Sequence, residues 1–514
     1  MELYASPFFF KSEGHVALSG LTERLELYID GEWSRPLTGK QQDVINPATE
    51  ERIGSAPEAG IADTERAIAA ARAAFDDGPW PLMTMQERAG YLARMIDWLA
   101  EREGVLAGLC VAEIGAPLGL AGGMHAAMTI AQMRAALEHA LRLRPRVLEP
   151  TLTRYPEAMG GQTVVGSYMI VHEPVGVASL FSAYNAPLLL NALKIIPALV
   201  AGNTAIVKAP PQSPLQTLVF ADAAAAAGLP PGVLNVLTGT SIAVGELLSS
   251  DPRIDLVSFT GSDAVGARIM AQASPTIKRV FLELGGKSPL IVRKDADLDL
   301  AAGVGQSVYS VQAGQGCMLP TRHLVHQSVF DDYIERFTAL AAKQISGDPA
   351  NPNTTHGPLI SAEHRDRVEA IVGRAVAQGA EVVFGGQRPP HLERGFFYEP
   401  SLLIGVQNQW EIAQTEIFGP VVVAMPFKDD DEAIALANDT VYGLSAHIIS
   451  SDFGCALALA SRIRSGEVYI NGGSSALSPQ QPYGGTKRSG FGYQGGDEGL
   501  TEYMNLKTVI YKAG

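Results

Sequence analysis

The chain has 514 residues, a net charge of −15, 46% apolar residues and 18% charged residues. This balance excludes a disordered or fibrous protein, and the acidic surface argues against nucleic acid as a partner. The three cysteines lack the spacing of a disulfide framework or a zinc site, so we expect a cytoplasmic protein without a bound metal. The length predicts about three domains or lobes.

Residues 174–193 carry no charge and are numerous enough to span a membrane. Ser182, Asn185 and Pro187 lie within this stretch. They favour a strand, a turn and a buried helix, so we expect no membrane association.

The first part of the chain predicts hairpins followed by helices. Residues 1–25 lack a clear pattern and are assigned to an N-terminal arm. Leu27–Ile29 is typical of a strand, and Asp30-Gly31 of a hairpin turn. Asp63 is the predicted N-cap of a helix whose apolar residues recur at helical spacing. Helical patterns then continue to about residue 145.

From residue 175 onward, short apolar runs alternate with helical patterns, which indicates parallel sheets covered on both faces. The first series predicts strands at 177–183, 204–208, 233–237, 256–259 and 279–284, with helices at 187–200, 215–227, 242–249 and 264–273. The second predicts strands at 290–292, 323–326, 381–384, 401–404, 421–426, 446–449 and 468–470, with helices at 331–344, 362–378, 430–438 and 455–463. The sequence therefore predicts an α/β fold with two lobes, joined near 284–288.

Glycine motifs alone leave the ligand open. No G-x-G-x-x-G lies between a strand and a helix of the first series. Segments 239–245 and 261–266 each follow a strand and precede a helix, so each is either a pyrophosphate-binding turn or an ordinary connection. Gly286-Lys287-Ser288 resembles the end of a P-loop, but the required first glycine would fall at Phe281.

Two residues are candidates for chemistry. Cys317 lies in a turn-like segment, where it is either a nucleophile or a small core residue, whereas Cys110 and Cys455 lie within apolar helical patterns. Glu283 ends an apolar strand, where a carboxylate is either a buried ion-pair partner or a base with a raised pKa.

Four blocks together resemble the aldehyde dehydrogenase superfamily, and the similarity runs from about Leu27 to Lys512. The order of the blocks and the 34-residue spacing between Glu283 and Cys317 both match. The blocks are Glu173-Pro174-Val175-Gly176-Val177 with Tyr184-Asn185-Ala186-Pro187, Ala201-Gly202-Asn203-Thr204 and Lys208; Phe259-Thr260-Gly261-Ser262 with Gly266; Leu282 to Pro289 with Gly314-Gln315-Gly316-Cys317; and Glu416 to Val421 with Gly484 to Gly490.

The resemblance implies a catalytic role for each of four residues. Cys317 would attack the aldehyde carbon, because a thiohemiacetal can lose hydride and leave a thioester. Asn185 would donate to the developing oxyanion, although an Asn before Ala-Pro also suits a plain turn. Glu283 would activate the water that hydrolyses the thioester. Lys194 would relay protons behind that base, or would simply lie on a helix surface.

The resemblance also implies a dinucleotide, NAD or NADP, lying across the first lobe. Phe181, Ser182, Ala183 and Tyr184 would line its nicotinamide side, and Lys208 would reach the adenosine ribose. Gly239, Gly261 and Ser262 would approach the pyrophosphate. Glu416 would hold the nicotinamide ribose, and Phe418 would pack on the ring unless it is only a core residue. Pro211 and Leu284 complete this set.

Three departures from the family pattern carry expectations. Pro211 replaces a common glutamate and favours NADP as well as NAD. Gln494 replaces another glutamate and leaves more of the base role to Glu283. Ala186 and Leu193 replace bulky aromatics, which predicts a wide pocket for a bulky or hydrophobic aldehyde. The expected pocket residues are Ala186, Leu190, Leu193, Gly316 and Met318.

The family fold implies three parts. We expect a Rossmann-like dinucleotide-binding lobe at 26–145 and 172–282, a catalytic lobe at 283–496 and a small β oligomerisation flap at 146–171 and 497–514. Thr163–Val171 alternates as a strand would, and pairing of an exposed strand between subunits predicts a homodimer or homotetramer. The alternatives are a CoA-acylating relative, in which CoA resolves the thioester, and a non-enzymatic structural relative.

Overall fold

The computed structural model describes residues 21–473 and 478–512. Most of the predicted arm therefore lies outside the described residues. Its last part, from residue 21, runs beside the first lobe, where Arg24 forms an ion pair with Asp222 and Glu23 pairs with Ser55.

Two hairpins open the described chain, and helices follow them, as the sequence predicts. Asp30 and Gly31 both have positive φ (57° and 79°) in the turn of the first hairpin. The elements are β1 (Leu27–Ile29), β2 (Glu32–Ser34), β3 (Gln41–Ile45), β4 (Arg52–Pro57), α1 (Ile61–Asp76), α2 (Met85–Ala100), α3 (Glu103–Ile114), α4 (Leu118–Leu120) and α5 (Met128–Arg142), with a π-helical turn at Ala121–Ala127.

The prediction of Asp63 as an N-cap is wrong. Helix α1 begins at Ile61, so Gly60 is the N-cap and Asp63 is the third helical residue. The Asp63 carboxylate accepts the backbone N–H of Gly60 at 3.0 Å. Since glycine has no side chain to cap the helix, this carboxylate supplies the side-chain hydrogen bond of the first turn.

The first lobe contains an eight-stranded sheet that is parallel at its centre. A long hairpin, β5 (Arg146–Arg154) and β6 (Thr163–Pro174), precedes it along the chain. The alternating elements are β7 (Val177–Phe181), α6 (Pro187–Val200), β8 (Thr204–Lys208), α7 (Pro214–Ala227), β9 (Leu234–Leu237), α8 (Ile242–Ser250), β10 (Leu256–Thr260), α9 (Asp263–Ala273) and β11 (Arg279–Glu283). Along β7 and β8, alternate side chains belong to two separate hydrophobic cores, one on each face of the sheet. Helices therefore cover both faces, as predicted.

The second lobe contains a seven-stranded sheet, parallel except at one edge. Its elements are β12 (Ser288–Val292), α10 (Leu298–Gly305), α11 (Ser307–Ser310), β13 (Pro320–His326), α12 (Phe330–Ala341), α13 (Ala362–Ala377), β14 (Glu381–Phe384), β15 (Ser401–Ile404), α14 (Glu411–Gln414), β16 (Val421–Phe427), α15 (Asp430–Asn438), β17 (Ser445–Ile449), α16 (Phe453–Ala460) and β18 (Glu467–Ile470). The strand order is β14-β15-β16-β13-β12-β17-β18. The lobes join between β11 and β12, at the predicted position.

The end of the chain returns to the first lobe. It forms β19 (Gly490–Phe491), α17 (Gly496–Thr501) and β20 (Met504–Lys512). β19 extends the first sheet beside β11, and β20 pairs with β6, which pairs with β5. The resulting three-stranded sheet occupies the segments assigned to the flap, whereas α17 packs against α5 and α6. Among residues 21–473 and 478–512, no helix combines the length and the apolar character that crossing a membrane requires.

Candidate active site

A cleft of about 750 Å³ opens at the carboxyl ends of the first parallel strands. The strand order β19-β11-β10-β7-β8-β9-β1-β2 places β8 and β9 on one side of β7, and β10 and β11 on the other. In open α/β sheets, ligands bind where the strand order reverses in this way. Fifteen residues named from the sequence line the cleft: Phe181, Ser182, Ala183, Tyr184, Asn185, Leu190, Lys208, Pro211, Gly261, Ser262, Glu283, Leu284, Cys317, Glu416 and Phe418.

Six other residues named from the sequence are not among those that line the cleft: Gly239, Ala186, Leu193, Gly316, Met318 and Lys194. The Gly239 carbonyl accepts a hydrogen bond from the Lys208 ammonium. Leu193, one turn further along α6 than Leu190, lines a separate small crevice beside His139 and Pro479. Ala186 is buried as the residue before that helix.

Cys317 lies in a tight loop between the two lobes. Gln312, Ala313 and Gly314 all have positive φ just before it. Gly314 is required there, because an added Cβ would lie 2.1 Å from the Gly419 carbonyl oxygen. Cys317 is half-buried, whereas Cys110 is fully buried in α3. The structure therefore places the candidate nucleophile at a surface that a ligand can reach.

The environment of the Cys317 thiol opposes ionisation. The pKa of this thiol is raised to about 12, chiefly by burial and also by the Glu416 and Glu283 carboxylates. The Tyr483 hydroxyl lies 3.1 Å from Cys317 Sγ, and its hydrogen bond lowers the pKa. Tyr483 was missed in the sequence, although it directly precedes the Gly484-Gly485 pair of the fourth block.

Glu283 ends β11 as predicted, and only 3% of it is exposed. Neither carboxylate oxygen has a hydrogen-bond partner in the part of the chain that the structure describes. Burial therefore raises the pKa of Glu283 well above its usual range, and Lys194 partly offsets this. An unpaired buried carboxyl with a raised pKa is suited to proton transfer rather than to a structural ion pair.

Lys194 is fully buried on α6 rather than on a helix surface. Its Nζ donates to Ser258 Oγ at 2.8 Å, and the Tyr503 hydroxyl reaches the same Oγ at 3.4 Å. Burial lowers the pKa of Lys194 to about 7, while Glu283 raises it. Lys194 thus interacts electrostatically with Glu283 and has a pKa suited to proton relay.

Asn185 presents an amide to the same end of the cleft. Its Nδ2 donates to the Gln315 carbonyl at 2.9 Å. Gln315 is itself held by hydrogen bonds to Gln312, Pro358 and Ile360. Since an amide nitrogen carries two hydrogens, this contact fixes the side chain and leaves one N–H for a ligand.

Helix α13 holds the turn that carries Glu416 and Phe418. His364 Nε2 donates to the Phe418 carbonyl at 2.6 Å, and the Arg367 guanidinium donates to the carbonyls of Glu416 and Ile417, both at 2.9 Å. Phe418 has a φ of 59°, a strained value for a residue with a Cβ. His364 and Arg367 also line the cleft and were missed in the sequence, where only their i, i+3 spacing at a helix start marks them.

Glu416 is oriented towards the loop that joins the two lobes. Its Oε1 accepts the Gly286 backbone N–H at 3.0 Å, and burial raises its pKa to about 7. The Phe418 ring packs edge-on against Tyr184, with centroids 5.8 Å apart. These contacts place a carboxylate and two rings on one wall of the cleft.

The opposite end of the cleft can bind an anionic ligand. The N-termini of α8 and α9 both open into it, through Ser241 and Ser262. The Lys208 ammonium donates to the carbonyls of Ala209 (2.7 Å) and Gly239 (2.6 Å), and burial lowers its pKa to about 8. A dinucleotide fits this arrangement, with its phosphates at the helix N-termini. Residues 21–473 and 478–512 contain no cluster of side chains suited to a metal ion.

Comparisons with known proteins agree along nearly the whole chain. The family model described as "Aldehyde dehydrogenase family" matches residues 33–509. Betaine aldehyde dehydrogenase 1 of Oryza sativa subsp. japonica is 38% identical over 490 residues, which is 95% of each chain. The NAD-dependent aldehyde dehydrogenase of Sinorhizobium meliloti superposes with a TM-score of 0.89 at 35% identity, covering 96% of this chain and 95% of its own. An NADP-dependent enzyme of E. coli gives a TM-score of 0.90 at 33% identity, with 96% and 99% covered.

Proposed function

The chain belongs to the aldehyde dehydrogenase family, and from this premise we propose that it oxidises an aldehyde to a carboxylic acid, with Cys317 as nucleophile and NAD or NADP as electron acceptor. One observation carries the proposal: Cys317, Glu283 and Asn185 meet in a single cleft that has room for a dinucleotide.

Oxidation begins at the sulfur of Cys317. The sulfur bonds to the aldehyde carbon, and the carbonyl π electrons move onto the oxygen. The remaining N–H of the Asn185 amide and the backbone N–H of Cys317 stabilise this oxyanion; loss of one such donor typically costs about 2.7–4 kcal/mol. Bound NAD or NADP supplies the acceptor for the hydride that leaves the aldehyde carbon, after which Cys317 is acylated as a thioester.

Hydrolysis depends on Glu283. Its carboxylate takes a proton from water, the water oxygen bonds to the thioester carbon, and the Cys317 thiolate leaves with the electron pair. Lys194 lowers the cost of the negative charge on Glu283. The presence of this base favours water over CoA as the second substrate, and an ordered catalytic set argues against a purely structural protein.

The cleft supports a specific orientation for the dinucleotide. Glu416 would bind the nicotinamide ribose hydroxyls with Phe418 against the ring, and Lys208 would meet the adenosine ribose. Pro211 lines the cleft with no acceptor and no charge, so nothing at that position repels a 2′-phosphate. NADP is therefore proposed as a cofactor beside NAD, and the similar structures include both an NAD-dependent and an NADP-dependent enzyme.

The aldehyde is proposed to be bulky or hydrophobic. Fewer residues support this proposal in the structure than the sequence predicted. Leu190 lines the cleft near Asn185, whereas Ala186, where the family often has a ring, is buried and does not line it. Leu193 lines a second crevice rather than this cleft, so the cleft gives its part of the proposal no support.

We also propose a homodimer or homotetramer in the cytoplasm. The three-stranded sheet carries exposed Val147, Leu152, Leu506 and Ile510, and β5 is exposed along its whole length. Such apolar strands are commonly covered by another subunit. The three cysteines are all free thiols, which suits a reducing compartment.

A substrate screen tests the proposed reaction. Purified protein is mixed with aliphatic, aromatic and terpenoid aldehydes, with NAD or NADP, with and without CoA. We expect reduced cofactor and free carboxylic acid without CoA, and bulky aldehydes to exceed acetaldehyde in kcat/KM. Product that forms only with CoA would instead identify an acylating enzyme. Cys455→Ser, which changes a cysteine on α16 away from the cleft, is the matched control for loss of Cys317.

A further inference from the structure

Tyr483 contacts the nucleophile from outside the dinucleotide cleft. Its hydroxyl lies 3.1 Å from Cys317 Sγ, although the two residues are 166 positions apart in the chain. Cys317 lines the cleft, whereas Tyr483 is not among the lining residues. The phenol therefore reaches the sulfur from a direction that leaves the cofactor side of the thiol open.

The backbone fixes the phenol in this position. The N–H and C=O of Tyr483 both form hydrogen bonds with Gln494, each 2.7 Å long. The same segment continues into β19, where Gly490 pairs with Glu283 of β11. The segment that carries Tyr483 is therefore hydrogen-bonded to β11, the strand that ends at Glu283. This pairing holds Tyr483 in place relative to the first sheet.

The chemistry of the contact depends on the state of the sulfur. A thiol can donate to the phenol oxygen, but a thiolate can only accept, so the phenol O–H must then donate. Burial and the carboxylates of Glu283 and Glu416 disfavour the thiolate, and the Tyr483 hydrogen bond is the contribution that favours it most. A phenylalanine would fill the same space and could not make this bond.

We propose that the Tyr483 hydroxyl donates a hydrogen bond to the Cys317 thiolate and so stabilises and orients this thiolate as it forms for attack on the aldehyde. The inference rests on the proposed function, in which Cys317 is the nucleophile. The thiol proton passes to the Glu283 carboxylate, which releases it to solvent before hydrolysis; the sulfur electron pair forms the bond to carbon, the carbonyl π electrons move onto the oxygen, and Tyr483 retains its proton throughout. Tyr483 is thus a catalytic residue, because it touches the reacting atom.

The test measures the thiol directly, without turnover. The rate of Cys317 alkylation by iodoacetamide is followed by peptide mass spectrometry as a function of pH, in the parent and in Tyr483→Phe. A hydrogen bond to a charged group corresponds to about one to two pH units, so the variant profile shifts upward by that amount. Alkylation at neutral pH falls roughly tenfold to a hundredfold and approaches the parent rate at high pH.

A matched variant separates this role from general packing. Tyr469 is a neighbouring half-buried phenol whose hydroxyl donates to Glu467 at 2.8 Å rather than to Cys317. Tyr469→Phe is expected to leave the alkylation profile of Cys317 unchanged. Incorporation of 3-fluorotyrosine at position 483, a stronger donor, should shift the profile in the opposite direction from Tyr483→Phe.

Three outcomes decide the matter. An unchanged alkylation profile in Tyr483→Phe overturns the inference, even if turnover falls, because Tyr483 would then act on the substrate. Equal shifts in the Tyr469 and Tyr483 variants also overturn it, since packing alone would explain them. A shift specific to Tyr483 in a protein that oxidises no aldehyde would support the thiolate contact and refute the proposed function instead.

Discussion

Gly286 determines how closely the interlobe connection approaches the nucleophile. A Cβ added at this position would lie 2.3 Å from the carbonyl oxygen of Cys317 and 3.4 Å from the Cβ of Leu444. Gly286 does not have a positive φ, so alanine would not strain its backbone. Gly286→Ala therefore tests steric displacement at Cys317 without added backbone strain.

The size of the displacement follows from the contact distance. Ordinary van der Waals contact begins at 3.4 Å, so the Cys317 main chain or the connection must move by about 1 Å. Misplacement of a reacting group by this amount costs about a hundredfold in rate, and overpacking of a tight site costs about 1–3 kcal/mol of folding free energy. We therefore expect kcat to fall about a hundredfold, while the free energy of unfolding falls by only about 1–3 kcal/mol.

The assay compares kcat, the iodoacetamide rate at Cys317 and the thermal unfolding midpoint of Gly286→Ala with those of Gly303→Ala. Gly303 lies exposed on α10, and an added Cβ there meets nothing within 4 Å. The control should match the parent in kcat and gain up to about 1 kcal/mol of stability. If kcat and the alkylation rate of Gly286→Ala stay within twofold of the parent, the segment between β11 and β12 must have moved while Cys317 stayed in place, which would refute the reasoning.

Three further changes address the proposed chemistry. Cys317→Ser should abolish aldehyde oxidation while dinucleotide binding, measured by titration calorimetry, persists; preferential iodoacetamide labelling of Cys110 or Cys455 in the parent would contradict the assignment. Glu283→Gln should lose steady-state turnover by about 10²–10⁴-fold and retain a burst of reduced cofactor, slower than in the parent because Glu283 also accepts the thiol proton. Because the pKa of Glu283 is raised and the base acts when ionised, the hydrolytic rate of the parent should increase with pH, and stopped-flow profiles of the variant should lack that limb. Pro211→Glu should raise KM for NADP relative to NAD, and an unchanged ratio would mean that this position does not face the ribose.

Local signals predict the fold well where strands and helices alternate. Helix α6 and strand β8 have the predicted bounds, because Pro187 suits the first turn of a helix and Thr204–Lys208 is a short apolar run between turns. Asp63 misled the prediction because a carboxylate that reaches back to a glycine resembles an N-cap in sequence.

The catalytic set could be predicted because its residues lie in recognisable blocks, whereas supporting residues depend on tertiary contacts. The contact between Tyr483 and Cys317 joins the end of the chain to an interlobe loop, and His364 acts through carbonyl groups on another element. Leu193 was placed by its spacing from Asn185, but it lies one turn beyond Leu190 and lines a different crevice. No pattern in a single sequence reports such orientations.

The two carbonyl contacts of Lys208 affect the thermodynamics of ligand binding. An ammonium group has three donors, and Ala209 and Gly239 already occupy two of them. Immobilising a lysine side chain costs about 1.5–2 kcal/mol of conformational entropy, and here that loss is incurred during folding rather than during association. The one remaining donor suffices for a ribose hydroxyl, whereas a phosphate at the same place would need Gln212 or Thr240, which also line the cleft, to satisfy its other oxygens.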